Sequence, residues 1–384
     1  MHRIITILIL FYLGCSKSTD PFIEISVITP IDMASPTDLV ITETIKCAKR
    51  ELKIKNTCIP CKTIIPDDFS TIIDAIKQGV SEICIKDGIY KEDLNIKDSL
   101  SIYGQGVNTI IQGSINIFQN AVKIELKNFK VMRIGSSGVL DLSGKVQQII
   151  LRDLIFTDEL YCMSHSSNFG SFYLVYENNY CINSKTGLNI QRKNNSNSVS
   201  TVTIKNSNFK NDVNMNIGFM SDERDAGVAC INIYNNILLY NSYSISQTLS
   251  LLRIDIASTL NTYIINNTFI PKNPKWITSI YNHSFGDRTY KTFLAYNLYE
   301  GILEESYPLS IQISNMLADD SYFADAPKDD YHLNKNSPAI DVYGGYFTGY
   351  DALKEDKDGT QRPLNSSNSI IPLYDVGAYE HSQN

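Results

Sequence analysis

The chain repeats one short pattern from Leu100 to Gly301. Each copy alternates apolar residues with residues of any type, continues with Asn or once Asp, and usually has another apolar residue three positions later. The Asn position recurs every 24 to 31 residues: it is Gly104 in a degenerate first copy, then Asn128, Asp153, Asn178, Asn206, Asn235, Asn266 and Asn297. A repeat of this length indicates a solenoid, a propeller or a repeat array.

The alternation inside each copy has a period of two residues, which predicts strands. No helical stretch separates the copies, which disfavours leucine-rich and helical repeats, and a four-stranded propeller blade needs more residues per repeat. The remaining architecture is all-β, a right-handed parallel β-helix whose coils stack at roughly 4.8 Å. We expect residues 100–301 to form these coils. The repeated Asn is expected at a left-handed corner, with its amide bonded to the same Asn one coil away.

The N-terminus is typical of a secretory signal. Arg3 precedes an apolar run from Ile4 to Leu13, which is too short to span a bilayer, and Cys15 follows closely. Residues 1–14 and the cysteine resemble a bacterial lipoprotein signal. The resemblance implies cleavage before Cys15, a lipid on that residue and attachment to the membrane of the cell envelope. An ordinary secretory signal with an incidental cysteine is the alternative, and both export the chain.

The overall charge argues against nucleic acid as a partner. The formal net charge is -7, and phosphate contacts require clusters of Lys and Arg. The composition, 43% hydrophobic and 20% charged, is that of a folded protein. Residues 15–40 show little pattern and are expected to form a tether, followed by an N-terminal cap and the start of the β-helix in 41–99.

Three cysteines lie close together near the start of the folded region. Cys47, Cys58 and Cys61 have a spacing that suggests zinc or redox chemistry in the cytoplasm. In an exported chain a disulfide among them is the favoured interpretation, with the pairing left open. Cys181 occupies an apolar position of the repeat and Cys230 adjoins one, which predicts two buried core residues.

An amphipathic helix is predicted just before the coils. Helical spacing relates Phe69, Ile72, Ile73 and Ile76, and Gly79 follows as a stop signal. Strand-like residues then lead through Gly88 and Tyr90 to the first coils, ending near Gly113. This arrangement resembles the N-terminal part of the pectin-lyase-like right-handed parallel β-helix superfamily. The resemblance implies that a short α-helix covers the first coil.

Three motifs mark the C-terminal region, which we expect to contain the last coils and an irregular cap in 302–384. They are S-P-A-I-D at Ser337–Asp341, D-x-D-G-x-x-R at Asp356–Arg362 and D-V-G-A-x-E at Asp375–Glu380. Their order resembles the closing segment of surface-anchored β-helix proteins, including those with a choice-of-anchor domain. We expect Arg362 to bridge the carboxylates of Asp341 or Asp375.

The acidic turn in this region is a weak candidate for calcium. Asp356, Asp358 and Gly359 imitate half of an EF-hand loop, but Lys354 stands where that loop needs its first carboxylate. A structural turn is the favoured interpretation. No cofactor is therefore predicted, with Ca²⁺ as the one alternative.

The superfamily that the chain resembles contains polysaccharide lyases, hydrolases and esterases, although a fold by itself assigns none of these activities. The segments expected of a polygalacturonase are absent. Asp153–Phe156 resembles one pectin methylesterase segment, without its partner segments. Weak catalytic candidates remain in the long turn Met220–Gly227, namely Asp222, Glu223, Arg224 and Asp225, and in Arg253 of the next coil.

Two functions stay open. The first is an envelope lipoprotein whose β-helix binds glycans or another surface partner without catalysis. The second is a lyase or hydrolase acting on acidic uronate polysaccharide. The missing active-site motifs favour binding, and whether the chain is an enzyme stays open. A groove that holds Lys or Arg beside two or more carboxylates would favour the enzyme.

Overall fold

The computed structural model describes residues 46–118, 121–132, 140–143, 146–157, 161–167, 171–184, 186–192, 199–211, 215–221, 227–240, 249–256, 259–271, 277–284, 290–300, 302–305, 310–344, 354–362 and 373–381. Cys47–Asn384 forms one compact unit. In the described ranges, no helix has the length and apolar character needed to cross a bilayer. The signal residues and Cys15 lie outside these ranges.

Three long parallel sheets contain most of the strands of the described residues. The first sheet contains, in spatial order, β3 (Ile64–Ile65), β4 (Glu82–Ile85), β7 (Leu100–Gly104), β10 (Lys123–Lys127), β13 (Gln148–Arg152), β16 (Phe172–Glu177), β19 (Val199–Lys205), β22 (Val228–Tyr234), β25 (Thr259–Ile265), β28 (Tyr290–Ala295) and β31 (Ser310–Ile313).

The other two sheets take the strands in between. The second contains β5 (Gly88–Tyr90), β8 (Thr109–Gln112), β11 (Lys130–Met132), β14 (Ile155–Thr157), β17 (Tyr180–Ile182), β20 (Asn208–Asn211), β23 (Ile237–Tyr240), β26 (Thr268–Pro271), β29 (Leu298–Tyr299) and β32 (Met316–Leu317). The third contains β6 (Leu94–Ile96), β9 (Ile115–Ile117), β12 (Leu140–Ser143), β15 (Tyr161–Ser167), β18 (Thr186–Arg192), β21 (Met215–Ser221), β24 (Leu249–Ile256), β27 (Ile277–Ser284) and β30 (Ile302–Glu305).

Each sheet therefore receives every third strand along the coils, and the chain forms a three-sided parallel β-solenoid. This confirms the parallel β architecture predicted from the repeat. Apolar positions of successive copies pair in register across the first sheet, in the row Ile102, Leu126, Leu151, Tyr176, Ile204, Ile233, Ile264 and Leu294. All of these side chains are buried, so burial of the repeated apolar positions forms the core.

The repeated Asn position forms the corner between the first and second sheets. Its residues have left-handed φ values between 52° and 60°, at Asn128, Asp153, Asn178, Asn206, Asn235 and Asn266. Asn tolerates this conformation better than most residues because its short side chain bonds locally. In the last of these copies Tyr296 holds the left-handed corner, with φ 55°, and Asn297 follows it.

The inter-coil ladder of side-chain hydrogen bonds is formed by the residue after the corner. The expected ladder of corner residues was therefore wrong by one position. The ladder consists of Asn179, Ser207, Asn236, Asn267, Asn297 and Asn315. The backbone N–H of Asn236 donates to Oδ1 of Asn267 at 2.9 Å, and the Asn267 N–H donates to Oδ1 of Asn297 at 2.9 Å. The left-handed residue turns the chain, so the next side chain is enclosed and must be paired inside. Of the predicted ladder residues, only Asn297 belongs to this ladder.

A short helix precedes the first complete coil. Helix α1 (Ile72–Lys77) begins after Thr71, whose Oγ1 accepts a hydrogen bond from the N–H of Asp74 at 3.1 Å. Ile72 and Ala75 are buried in the main core. The carboxylate of Glu92 accepts hydrogen bonds from the N–H groups of Ile72 and Ile73, which fixes the start of the helix against the first coil.

An antiparallel hairpin, β1 (Glu51–Ile54) and β2 (Thr57–Pro60), precedes this helix. Disulfides join Cys47 to Cys58 within the hairpin region and Cys61 to Cys84 on β4. Thus all three predicted disulfide candidates are bonded, but Cys61 pairs with a cysteine of the first sheet. A third disulfide joins Cys162 to Cys181, and Cys181 is fully buried in the core as predicted.

The C-terminal segment folds back along the second sheet. It includes the 3₁₀ turns Asp320–Tyr322 and Ala326–Lys328, the hairpin of β33 (Phe323–Asp325) and β34 (Asp330–Leu333), and the pair β35 (Tyr343–Gly344) and β36 (Leu373–Tyr374). The Gly377 N–H donates to the carbonyl of Tyr296 at 2.8 Å, and the Ala378 N–H donates to Oγ1 of Thr268 at 3.0 Å. This segment therefore covers the outer face of earlier coils.

Buried charges hold this segment together. Arg362 donates to the backbone carbonyls of Asp375 and Gly377 at 3.4 and 2.9 Å, and its Nε lies 3.7 Å from the Glu380 carboxylate. The predicted bridge from Arg362 to the carboxylates of Asp341 or Asp375 is thus replaced by one to Glu380. Oδ1 of Asp375 instead accepts the backbone N–H of Asp341 at 2.7 Å.

Candidate functional site

A groove of about 530 Å³ lies between the β1–β2 hairpin and the outer face of the first sheet. The hairpin side consists of Ile54, Lys55, Thr57, Ile59 and Pro60, and the sheet side consists of Glu82, Tyr103, Glu125, Lys127, Asn128 and Asp153. The groove combines apolar and charged surfaces around one aromatic ring. This mixture is typical of sites that bind polar organic ligands.

Strand register positions the side chains on the groove floor. Ser101 on β7 pairs with Glu82 on one side and with Glu125 on the other, so the two glutamates share a row. Tyr103, two residues further along β7, pairs with Lys127. The alternation of strand residues leaves this row on the outer face, since Ile102 between Ser101 and Tyr103 is fully buried.

Tyr103 lies in an electronegative environment. Partial burial of the ring raises the pKa of its hydroxyl, and the carboxylates of Glu125 and Glu82 raise that pKa further. The ring also packs against the small apolar cluster of the hairpin region, which includes Leu52 and Cys84. The disulfide from Cys61 to Cys84 therefore helps to hold the hairpin over the tyrosine.

One ion pair joins the hairpin tip to the solenoid corner. The Nζ of Lys55 lies 3.2 Å from Oδ1 of Asp153, with the lysine side chain 76% exposed and the aspartate 20% exposed. The backbone carbonyl of Lys53 also accepts a hydrogen bond from Nε2 of Gln105 at 3.5 Å. Since exposed ion pairs contribute little free energy, the tip is held less firmly than the disulfide-bonded base.

Asn128 contributes a hydrogen-bond donor to the groove. Asn128 is only 4% exposed, and its Nδ2 has no hydrogen-bond partner within the part of the chain that the structure describes. Asn235 occupies the same corner in a later coil, where its Nδ2 donates to the backbone carbonyl of Glu355 at 2.8 Å. The corner amide thus pairs with an oxygen when another chain segment lies over it.

An amide without a partner does not define a site by itself. Asn266, also at the corner and fully buried, likewise has amide atoms without a partner among the described residues. Asn128 differs because it lines the groove together with Tyr103 and the two glutamates. The combination of cavity, aromatic ring, carboxylates and amide distinguishes this place as the candidate site.

The catalytic candidates from the sequence are not brought together within the described ranges. Asp222, Glu223, Arg224 and Asp225 lie outside them. Arg253 is half-buried on β24, where its backbone pairs in register with Gly218 and Tyr281 of the third sheet. Arg253 therefore lies on a different side of the solenoid from the groove.

The two calcium candidates have internal partners instead. Oδ1 of Asp356 accepts the N–H groups of Asp358 and Thr360 at 2.9 and 2.7 Å, and Oδ2 accepts the N–H of Glu380 at 2.9 Å. The Asp358 carboxylate lies 3.8 Å from Nζ of Lys357. Donors and a cation at these oxygens oppose a bound Ca²⁺, so the turn is structural.

Asp358 also contacts a histidine. Nε2 of His332 lies 2.9 Å from Asp358, and Nδ1 lies 2.5 Å from Asp330. The hydrogen bonds that the ring donates to Asp358 and to Asp330 raise the pKa of His332 to about 9 despite partial burial. The protonated ring joins the β33–β34 hairpin to the acidic turn and stacks on Tyr379, with ring centroids 3.9 Å apart.

Sequence reasoning missed the groove, although part of the signal was present. Tyr103, Glu125 and Lys127 occupy the positions of the alternating pattern that face away from the core. The alternating pattern does not indicate that the β1–β2 hairpin lies over these residues, because the contact between Lys55 and Asp153 joins residues that are 98 positions apart. The disulfide partner Cys84 was not among the predicted candidates either.

The chain matches no protein-family model, no curated protein and no solved structure.

Proposed function

We propose that this chain is an extracytoplasmic lipoprotein of the bacterial cell envelope that binds a glycan without catalysis. Its fold would be a right-handed parallel β-helix of the pectin-lyase-like type, with α1 and the C-terminal segment as caps. The observation that carries the proposal is the groove, in which Tyr103 lies beside a row of two glutamates and near the amide of Asn128. Protein partners at the same groove are the other form of this proposal.

The disulfides support a location outside the cytoplasm. Six of the eight cysteines form three pairs, and disulfides persist mainly in oxidising compartments. This agrees with the signal-like residues 1–14 and with a lipid on Cys15. Attachment is tested by Cys15→Ala, which should release the protein from the membrane fraction; retention of the variant there would contradict lipid anchoring.

The groove suits a sugar better than a purely apolar ligand. Sugar rings offer hydroxyl groups to carboxylates and amides, and they offer an apolar face to an aromatic ring. Glu82, Glu125 and Asn128 supply the first kind of contact, and Tyr103 supplies the second. The apolar hairpin residues Ile54 and Ile59 would exclude water above the bound ring.

Glycan binding is tested by screening the purified protein against an array of bacterial surface glycans and measuring each hit by calorimetry. Tyr103→Ala should weaken binding about tenfold or more, because it removes the aromatic surface of the groove. Tyr161→Ala, on the third sheet, is the matched control and should bind as the parent does. Equal binding by both variants would place the ligand elsewhere.

A uronate lyase or hydrolase is the second candidate function. The groove does hold Lys127 beside Glu82 and Glu125, the arrangement that would favour an enzyme. The two glutamates lie on strands separated by β7, which places their backbones about 10 Å apart. Paired carboxylates flanking a substrate are the machinery of glycoside hydrolysis.

The two functions are separated by incubating the protein with uronate polysaccharides. A lyase would produce absorbance from the unsaturated product, with or without added Ca²⁺, and a hydrolase would release reducing ends. Loss of that activity in Glu125→Gln would assign it to the groove, whereas loss in Arg224→Ala would assign it to the long turn between coils and loss in Arg253→Ala to β24. Unchanged polymers throughout the panel would leave binding as the function.

A further inference from the structure

The charged residues that line the groove indicate the charge of a ligand that would fit it. Glu82 has no ion pair among the described residues, whereas Glu125 lies 3.5 Å from Nζ of Lys123 on its own strand. Both carboxylates act on Tyr103, which lies on the strand between them. The floor of the groove is therefore a row of two carboxylates with one tyrosine ring beside it.

A cation is the group that this row stabilises best. Carboxylates attract an ammonium directly, and the face of a tyrosine ring attracts it through the ring quadrupole. A uronate carboxylate in the same place would face Glu82 and Glu125 as a like charge, which costs free energy. The acidic floor thus disfavours the uronate ligands that the fold resemblance suggests.

The basic residues of the lining are arranged around this row. Lys55 is engaged by Asp153 at the hairpin tip. Lys127 pairs in register with Tyr103 and adjoins Asn128 in the chain, at the corner side of the groove. A ligand with an ammonium near the glutamates and hydroxyl oxygens near Lys127 and Asn128 would satisfy both ends.

We infer that the groove binds a glycan with free amino groups, whose ammonium lies between Glu82 and Glu125 at Tyr103 and whose oxygen accepts the Nδ2 hydrogen of Asn128. This inference rests on the proposed glycan-binding function and names its ligand class. The backbones of the two glutamates lie about 10 Å apart along the solenoid axis, with Ser101 between them, so both side chains can extend toward one ammonium in the groove. An amino sugar brings the ammonium together with hydroxyl oxygens and an apolar ring face, which are the groups that the glutamates, Asn128 and Tyr103 can contact.

The inference is tested by calorimetry with three tetrasaccharides, glucosamine, N-acetylglucosamine and galacturonic acid, at a pH that protonates the amine. The glucosamine tetramer should bind most tightly, and Glu82→Gln and Glu125→Gln should each weaken it about tenfold, because each removes one charge-assisted contact. Asp98→Asn, an exposed acid at the corner after β6, is the matched control and should not change affinity. Higher salt should weaken the interaction. Thermal melting of each variant verifies that it is folded.

The possible outcomes test the amino-sugar inference separately from glycan binding in the groove. Tighter binding of the acetylated or acidic tetramer, or unchanged affinity in both glutamine variants, would overturn the amino-sugar inference. If such binding were still lost in Tyr103→Ala, glycan binding in the groove would stand. Tighter binding of tetralysine than of the glucosamine tetramer would assign a basic protein segment instead. Absence of binding to every glycan would reject both proposals.

Discussion

The side-chain amide of Asn267 pairs with that of Asn297 one coil later, with Nδ2 donating to Oδ1 at 3.0 Å. The same Nδ2 also donates to the carbonyl of Ile233 at 2.8 Å in the preceding coil. Asn267 thus links three coils inside the core. Because every coil contacts mainly its neighbours, such links determine how cooperatively the solenoid unfolds.

Replacing a ladder residue should destabilise the protein strongly. Asn267→Ala leaves the backbone N–H of Asn236 and the carbonyl of Ile233 without these partners inside the core, which we expect to cost about 3 kcal/mol. Asn261 lies on the outer face of β25 in the same coil, and its side chain makes no hydrogen bond among the described residues, so Asn261→Ala should cost less than about 0.5 kcal/mol. Urea unfolding of both variants measures the difference, and equal stabilities would show that the ladder is dispensable.

The corner residues show how far the sequence determines this region. Repetition of Asn128, Asp153 and Asn178 predicted the left-handed corner, since few residue types occupy it without strain. The inter-coil bonds could not be assigned from the same pattern. In Asn178–Asn179 and Asn266–Asn267 two amides stand together, and only the turn of the backbone decides which one is enclosed.

The groove shows what a repeat pattern leaves out. The alternation indicates that Tyr103 and Glu125 face away from the core, because each lies beside a buried residue. It does not indicate that a hairpin lies over them. That arrangement depends on contacts between distant residues, such as Cys61 with Cys84 and Lys55 with Asp153, for which local periodicity carries no signal.

Removing the disulfide inside the coils should lower stability. Cys162→Ser with Cys181→Ser opens a covalent loop between two adjacent coils and is expected to cost about 2 to 4 kcal/mol. Peptide mapping without reduction should recover Cys162 joined to Cys181 in the parent. The matched control is Cys230→Ser, a buried cysteine outside the three disulfides, whose peptide map should retain all three linkages. Recovery of other linkages would contradict the pairing described here.

The His332 cluster should make the C-terminal segment sensitive to pH. Its folded pKa of about 9 lies above the ordinary value of 6.5, so protonation favours the folded state. The stabilisation is fully present below pH 6.5 and is lost as the pH rises through 9. His332→Gln should therefore lower the Tm most below pH 6.5 and least above pH 9.

The acidic partners provide the control for this pH dependence. Asp358→Asn should move the pKa of His332 toward 6.5, as followed by the ring proton shifts in NMR, because it removes the largest cause of the increase. Asp98→Asn removes an equal charge far from the ring and should leave the titration unchanged. A His332 titration that is identical in all three proteins would exclude the proposed coupling.

Gly377 should tolerate no side chain. Its φ is 102°, and an added Cβ would lie 2.7 Å from Cδ1 of Leu298. Gly377→Ala is expected to weaken docking of the C-terminal segment by about 2 kcal/mol or more, through backbone strain and overlap. Gly106→Ala, with φ 141° and no atom near the added Cβ, isolates the backbone contribution. Limited proteolysis should cut the C-terminal segment faster in Gly377→Ala than in Gly106→Ala.

The return of the C-terminal segment also sets an order of events for a growing chain. Ala378 donates to Thr268, a residue that is synthesised 110 positions earlier, and Lys357 reaches the ring of Tyr180 at 5.6 Å. The coils can form one after another, yet the second sheet is covered only when the C-terminal segment has been made. A chain that stops before residue 354 would therefore present this sheet to solvent and to other chains, which favours aggregation.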